Sequence, residues 1–344
     1  MALVRFVRLP NRPLAWDSEI RTFAESTVFQ QSSWLDFIRT CHKASEIDYF
    51  RILKGDSHVG SFCALKLKKG PFSVYGDPSF GYAADQQPLI AGAVDQRELL
   101  AALLDAARER SIDHLLLRGR WLDEANLLNM GFSATANVTH VCDLRSDEAQ
   151  TWAELKGTAR TRIRKAIKQG VTAERTLDPS IADHFYHVYS EVLRSKGKAP
   201  PFHLDRVRAL LSLVGGGDCL FAIWAKHQGR VVGAGFYAHD DHGMYFLDGA
   251  SDPNSLHLCP NEMLHWTAIR AAIAHGIDRF YIGGGPVPSR FTQKFTGYLL
   301  PQNTYDRTSN PLYRVAKSIY SMGKAVTNRA AAHRIMADSP EPDE

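Results

Sequence analysis

The sequence predicts an α/β protein of two homologous domains with mixed β-sheets, joined by a helical connecting segment. Three observations carry this expectation. A length of 344 residues, 44% hydrophobic and 23% charged, suits two domains of ordinary size. A hairpin pattern occurs twice, each time as an apolar strand, a polar turn and a glycine entering the next strand. Each copy then ends in a near-identical junction, Ser111-Ile112-Asp113-His114-Leu115 and Gly276-Ile277-Asp278-Arg279-Phe280.

In the first copy, Phe50–Leu53 and Val59–Ala64 form the hairpin, and a strand follows around Phe72–Gly76. A loop then leads to a helix over Gln96–Arg110, with Leu99, Leu100, Leu103 and Leu104 at helical spacing. The connecting segment reads as helices over Trp152–Gln169 and Ile181–Lys196. Pro200-Pro201 then breaks the chain before a third helix near Leu204–Leu213, and Gly215-Gly216-Gly217 is a plain loop. In the second copy the strands are Phe221–Trp224, Val232–Ala238 and Met244–Ala250, and the helix is Asn261–His275. After Pro311, the spacing of Leu312, Val315, Ile319, Met322 and Val326 predicts an amphipathic helix, with Arg314, Lys317 and Lys324 on its exposed face. Docking on the second domain and contact with an anionic membrane are its two readings. The acidic, Pro-rich residues 338–344 read as a disordered tail. The expected limits are 1–150 for the first domain and 151–310 for the second, which includes a basic helical segment, 152–215. Residues 311–344 hold the final helix and the tail.

Composition excludes collagen, low-complexity disorder and a disulfide miniprotein. Apolar runs such as Leu99–Leu104 fall far short of the roughly 20 residues that cross a bilayer. Arginines interrupt the first eight residues, so no signal peptide is read there. Cys41, Cys63, Cys142, Cys219 and Cys259 are odd in number and lack CxxC spacing, which suits reduced thiols in the cytoplasm. A cytoplasmic location follows, at the inner face of the membrane if the final helix binds lipid.

Net charge is +4, but Lys156–Arg175 alone carries seven basic residues against Glu174. Lys156, Arg160, Arg164 and Lys168 recur every four residues on one helix face, and no acidic residue lies between Lys156 and Gln169. Like charges at that spacing repel by a few tenths of a kcal/mol per pair. A bound anion would relieve this, so Arg160 and Arg164 are read as phosphate ligands, against the plain reading of a solvated helix.

The duplicated pattern resembles the GNAT acyltransferase fold, and within it the Fem family (FemAB-like), whose members carry two GNAT-like domains. The resemblance covers roughly Phe29 to Gly297. It rests on Phe29-Gln30-Gln31-Ser32-Ser33-Trp34, on the segment Leu155–Ala166, on Pro260-Asn261-Glu262-Met263-Leu264-His265-Trp266, and on Gly276-Ile277-Asp278 leading to Gly283-Gly284. It implies an aminoacyltransferase that moves an amino acid from charged tRNA to an amine on a cell-envelope precursor. Wider relatives act as N-acyl- or acetyltransferases on polysaccharide precursors and small molecules. It also places Arg39 near a family lysine that holds acceptor phosphate. Phe291-Thr292-Gln293-Lys294-Phe295-Thr296-Gly297 corresponds to a family Phe-Lys-x-x-Phe-Gly signature whose lysine stabilises the oxyanion. Thr292 stands in that lysine's place here. Arg290 or Lys294 would then supply the charge, or Thr292 a weaker hydrogen bond.

A CoA-dependent GNAT holds pyrophosphate on backbone N–H groups of a [Q/R]xxGx[G/A] loop that opens a helix. Arg230-x-x-Gly233-x-Gly235 runs into a strand, and Arg194-x-x-Gly197-x-Ala199 runs into Pro200-Pro201. The loop in the right place, Ser251–Pro260, has no glycine and carries Asp252. The equivalent first-domain loop, Gly81–Asp95, also lacks the pattern. His239-Asp240-Asp241-His242 sits in a hairpin turn and His184-x-x-His187 lacks a third ligand, so no metal is expected.

The expected reaction is direct attack of an amine on an ester or thioester carbonyl, with no tightly bound cofactor. Tyr237 and Asp248 on central strands, Asn261 at a helix start, and Arg290, Thr292 and Lys294 on the late loop are the polar candidates. Aminoacyl-tRNA is the first donor reading and acyl-CoA the second. A non-catalytic RNA- or polyanion-binding protein is the reading from a different class.

Overall fold

The computed structural model describes residues 3–42, 45–76, 86–119, 122–214, 219–285, 287 and 289–320. The expected Gly215-Gly216-Gly217 loop, Met322, Lys324, Val326 and the acidic tail lie outside these residues. The first half runs β1 (Val4–Leu9), α1 (Trp16–Ile20), α2 (Ser32–Cys41), β2 (Ser45–Lys54), β3 (Ser57–Lys69), β4 (Phe72–Tyr75), β5 (Leu89–Ile90), α3 (Gln96–Glu109), β6 (His114–Arg118), α4 (Glu124–Asn129) and β7 (Ser133–Thr135). Then follow β8 (Val138–Asp143), α5 (Glu148–Glu154), α6 (Gly157–Lys168), β9 (Val171–Thr176), α7 (Ser180–Arg194) and α8 (Leu204–Val214). The second copy holds β10 (Leu220–His227), β11 (Arg230–Asp240), β12 (Gly243–Ser251), α9 (Pro260–Ala274), β13 (Arg279–Gly285), β14 (Tyr298–Pro301) and β15 (Thr304–Thr308).

Two mixed sheets form, as the repeat predicts. The first has the order β1-β2-β3-β4-β6-β15-β7, with β5 on β3, and the second β9-β10-β11-β12-β13-β8-β14. In both, a hairpin and a third antiparallel strand are followed by a parallel neighbour reached through a helix, β4 with β6 and β12 with β13. The right-handed strand–helix–strand unit explains that parallel step.

The sheets exchange strands. After edge strand β7 the chain crosses to place β8 between β13 and β14 of the second sheet. After edge strand β14 it crosses back to place β15 between β6 and β7 of the first. The two crossings lie side by side, with Gln302 N–H donating to the Asn137 carbonyl at 2.9 Å. The expected limits at 150 and 310 are therefore not where the sheets divide. Periodicity marks a strand but does not say which sheet it joins.

The helices are fixed by local chemistry. Asp95, Asp123 and Asp147 cap α3, α4 and α5 by accepting from backbone N–H groups of the first turn. The expected single helix over Trp152–Gln169 is two, because Leu155 takes an extended conformation and buries its side chain. Side chains then satisfy the last α5 carbonyls: Arg160 donates to Ala153 O at 3.0 Å, and Thr296 Oγ1 donates to Glu154 O. Helix α9 is buried almost all round, with Met263, Leu264, Trp266, Ala268, Ile269 and Ala272 in the core. One apolar cluster runs through the second domain and on into α2, Leu65 and Leu67. Asp240 adds a polar tie by accepting from Val28 N–H at 2.8 Å.

Residues 311–320 are helical, but not docked as expected. Tyr313 packs against Phe72 and His114, and Lys317 pairs with Asp306 on β15, so the helix sits on the first domain. Leu312, Val315 and Ile319 stay exposed at 70%, 58% and 66%. No helix among the described residues is long and apolar enough to cross a membrane.

Candidate functional site

Strands β12 and β13 pair in parallel only at Met244↔Phe280 and Tyr245↔Tyr281, and beyond that point they part. The register between β11 and β12 also shifts at Phe236/Tyr237, so a bulge adjoins the opening. The first domain repeats the parting after Val74↔His114 and Tyr75↔Leu115, but there the chain closes it. Gln86 exchanges both backbone hydrogen bonds with Arg118, and its side chain donates to Leu116 O at 3.1 Å. It also lies so close to Gly76 that a Cβ there would stand 2.4 Å from Gln86 Nε2. No such plug occurs in the second domain among the described residues. The open cleft is therefore between β12 and β13.

One face of that cleft is set by α7 and α8. Asp248 stands opposite Phe236, which packs on Phe185 of α7. Burial pushes the Asp248 carboxyl up to about 7, with the Gly249 N–H at 2.9 Å and the Arg206 charge offsetting only part of the cost. Burial and the neighbouring Asp248 push Tyr189 up to about 12. A carboxyl that titrates near neutrality beside an opening in a sheet has the properties of a general base. Arg39 is exposed in the last turn of α2, the helix that packs on α8.

The other face lies under α9. Tyr237 is fully buried, with its hydroxyl 3.5 Å from His265 Nδ1. Burial holds His265 down at about 3, so this ring is neutral, and Phe246, Phe280, Phe291 and Phe295 surround it. Lys294 Nζ pairs with the buried Glu262 at 2.9 Å and lies over the Phe291 ring. Thr292 Oγ1 donates to Ser289 O at 3.0 Å, and Asn261 Oδ1 accepts from Ser251 Oγ at 2.8 Å. Tyr237, Asn261, Thr292 and Lys294 thus gather under or beside α9, while Asp248 serves the opposite face. Arg290 is exposed one residue before Phe291.

The basic helix α6 packs on α9, with a different arginine leading. Arg160 is spent on the end of α5, and Arg164 stacks over Trp152 at 5.4 Å. Arg162, off the four-residue stripe, reaches Cys259 Sγ at 3.7 Å, at the start of α9. Lys156 and Lys168 are exposed at the two ends of α6. Sequence reading missed Arg162, Arg206, Glu262 and His140. A stripe criterion passes over Arg162, and the other three acquire meaning only through neighbours distant in the chain.

Residues 153–290 match the family model of the GNAT acetyltransferase domain. In fold, the chain carries two GNAT-like domains in tandem. Its structure is similar to that of FemX, at 14% identity and a TM-score of 0.69, over 90% of this chain and 99% of that one. It is similar to a tandem GNAT protein from the clavulanic acid biosynthesis pathway, at 12% identity and a TM-score of 0.56, over 90% and 99%. A third likeness is to the C-terminal domain of a putative lysylphosphatidylglycerol synthetase from Agrobacterium fabrum, at 13% identity and 0.53, over 86% and 93%. At these identities the likeness is one of fold. Comparison with curated protein sequences gives no match.

Proposed function

We propose that this chain transfers an aminoacyl group from aminoacyl-tRNA to an amine of a cell-envelope precursor, a polysaccharide precursor or a small molecule. The observation that carries the donor choice is the loop between β12 and α9. A CoA pyrophosphate needs free backbone N–H groups there. Asp252 already engages two of them, Asn254 N–H through its side chain at 3.0 Å and Ser255 N–H through its carbonyl at 2.9 Å, and its side chain also accepts from Ser255 Oγ at 2.8 Å. Burial opposes its charge, but these hydrogen bonds and Arg230 hold its carboxyl below the usual range. A fixed anion at this place repels pyrophosphate. The name of one similar structure, the C-terminal domain of a putative lysylphosphatidylglycerol synthetase, also supports aminoacyl chemistry.

In this reading the donor carbonyl enters the opening between β12 and β13. The acceptor nitrogen attacks the carbonyl carbon, the π pair moves to oxygen, and collapse expels the ribose oxygen. Asp248 takes the proton that the nitrogen sheds and returns it to the leaving oxygen. Lys294, held by Glu262, offsets the oxyanion, while Tyr237 and Asn261 keep the strands in place. Arg39, with Arg206, serves acceptor phosphate, and Arg162 serves the tRNA end. Arg290 adds charge at the mouth. A cytoplasmic location goes with a charged-tRNA donor.

A second reading, acyl-CoA as donor, is favoured by the acetyltransferase description of the matching family model. The test is label transfer into the amines of a cell extract, from a pool of tRNA charged with labelled amino acids or from labelled acetyl-CoA. Ribonuclease-sensitive transfer from the tRNA pool is expected. Label arriving only from acetyl-CoA would establish the second reading. RNA binding with label from neither would leave a non-catalytic RNA-binding protein.

A further inference from the structure

A small cavity of about 120 Å³ lies where β13 leaves β12, between β8 and the turn at Thr292–Lys294. His140, Ser289, Thr292 and Gly283–Gly285 border it. It adjoins the proposed carbonyl position, because a Cβ on Gly283 would stand 4.0 Å from Phe246 on β12. The volume is well above the roughly 10–15 Å³ that one water needs.

Two of the polar groups at its wall, His140 and Thr292, are left as acceptors. His140 is 5% exposed, and its Nε2 lies 3.1 Å from the Phe295 carbonyl. A carbonyl can only accept, so Nε2 carries the proton and Nδ1 is left as a bare acceptor. Nδ1 is buried and has no partner among the described residues. Burial, with the Lys156 charge adding to it, lowers the His140 pKa and so keeps the ring neutral. Thr292 has given its proton to Ser289 O, so its remaining capacity is also to accept. A buried, unpaired acceptor is costly, and a native site that keeps one calls for a donor from elsewhere.

We infer that His140 Nδ1, with Thr292 Oγ1, receives the α-amine N–H of the transferred aminoacyl group and so selects aminoacyl over plain acyl donors. This rests on the aminoacyl reading above. An acetyl or propionyl group has no N–H to give, and would leave the acceptor without a donor. The α-amine is the one N–H donor common to every small aminoacyl ester. Lys156 favours the uncharged form of that amine, whose N–H still donates. His140 is thereby a specificity-determining residue, distinct from the proposed base Asp248 on the far face of the sheet.

The test uses two stable mimics of a charged tRNA end, 3′-(L-alanylamino)-3′-deoxyadenosine and 3′-(propionylamino)-3′-deoxyadenosine. They differ only in the α-amine. Wild-type protein should bind the first about tenfold more tightly by calorimetry. His140→Phe should bring that ratio to about one, with affinity for the propionyl compound unchanged within about twofold. Should His140→Phe not fold, ¹⁵N NMR of the wild-type imidazole decides: the Nδ1 signal should move upfield with the alanyl compound and stay still with the propionyl one. Equal wild-type affinity for both compounds, tenfold selectivity surviving in folded His140→Phe, or an unmoved Nδ1 signal would overturn the assignment while leaving the aminoacyl reading in place. Binding of acetyl-CoA with neither mimic bound would overturn that reading and this inference with it.

Discussion

Asp248 shows what burial does to a carboxylate without a fixed ion pair. Its folded pKa, about 7, lies above the ordinary 3.8, so between those values the folded state holds a proton that the unfolded chain has lost. Stability from this group is complete below about pH 4 and is lost as pH rises through 7. Asp248→Asn removes that loss, and should stabilise the protein by about 1–3 kcal/mol at pH 8 and by little at pH 4, as urea unfolding at the two values would read. An equal effect at both would place the carboxylate in solvent. Lys294 and Glu262 make the opposite case, a buried carboxylate that does have its cation. Lys294→Met should destabilise by about 1–3 kcal/mol, because it strands the Glu262 charge. Lys294→Met/Glu262→Gln should recover most of this without restoring transfer if the ammonium acts on the oxyanion. Recovery of transfer in the double variant would make the pair structural.

At the scale of elements, helix α6 reassigns the basic residues. Arg160→Ala removes a charged donor from the end of α5, and should cost about 0.5–1.5 kcal/mol in thermal unfolding. Arg162→Ala should leave melting unchanged and weaken tRNA binding severalfold, with a shallower dependence on salt. The reverse pattern would return the phosphate role to the four-residue stripe. The stripe itself was legible because helical spacing is a local property. Its use was not, because the break at Leu155–Lys156 turns Arg160 back onto α5, and that break is made by core packing of Leu155. The late loop behaves alike. Thr292 and Lys294 stand out in the sequence, yet the Glu262 partner of Lys294 is 32 residues away on α9.

At the scale of the molecule, the repeated hairpins and junctions made the two-domain α/β plan readable, since each copy repeats one local pattern. The strand exchange was not readable. A short strand such as Thr304–Thr308 carries the same alternation whichever sheet receives it, and the choice is made by pairing with β6 and β7, far away in sequence. Exchange makes each domain depend on the other's chain. A chain ending at residue 302 lacks β15 from the interior of the first sheet, leaving one edge of β6 open and β7 without a partner strand. It should fail to form a protease-resistant first domain, whereas the full chain should unfold in a single denaturant transition. Two separate transitions in the full chain would show that the domains are independent.

The central claim is that acyl transfer takes place at the β12/β13 opening with Asp248 as the base. Its most direct measurement is the pH dependence of label transfer from the charged-tRNA pool, between about pH 5.5 and 8.5, for wild type and Asp248→Asn. The wild-type rate should rise through an apparent pKa near 7, and the variant should be slower by about 10²–10⁴-fold with that rise gone. A variant as fast as wild type with the same profile would contradict the claim.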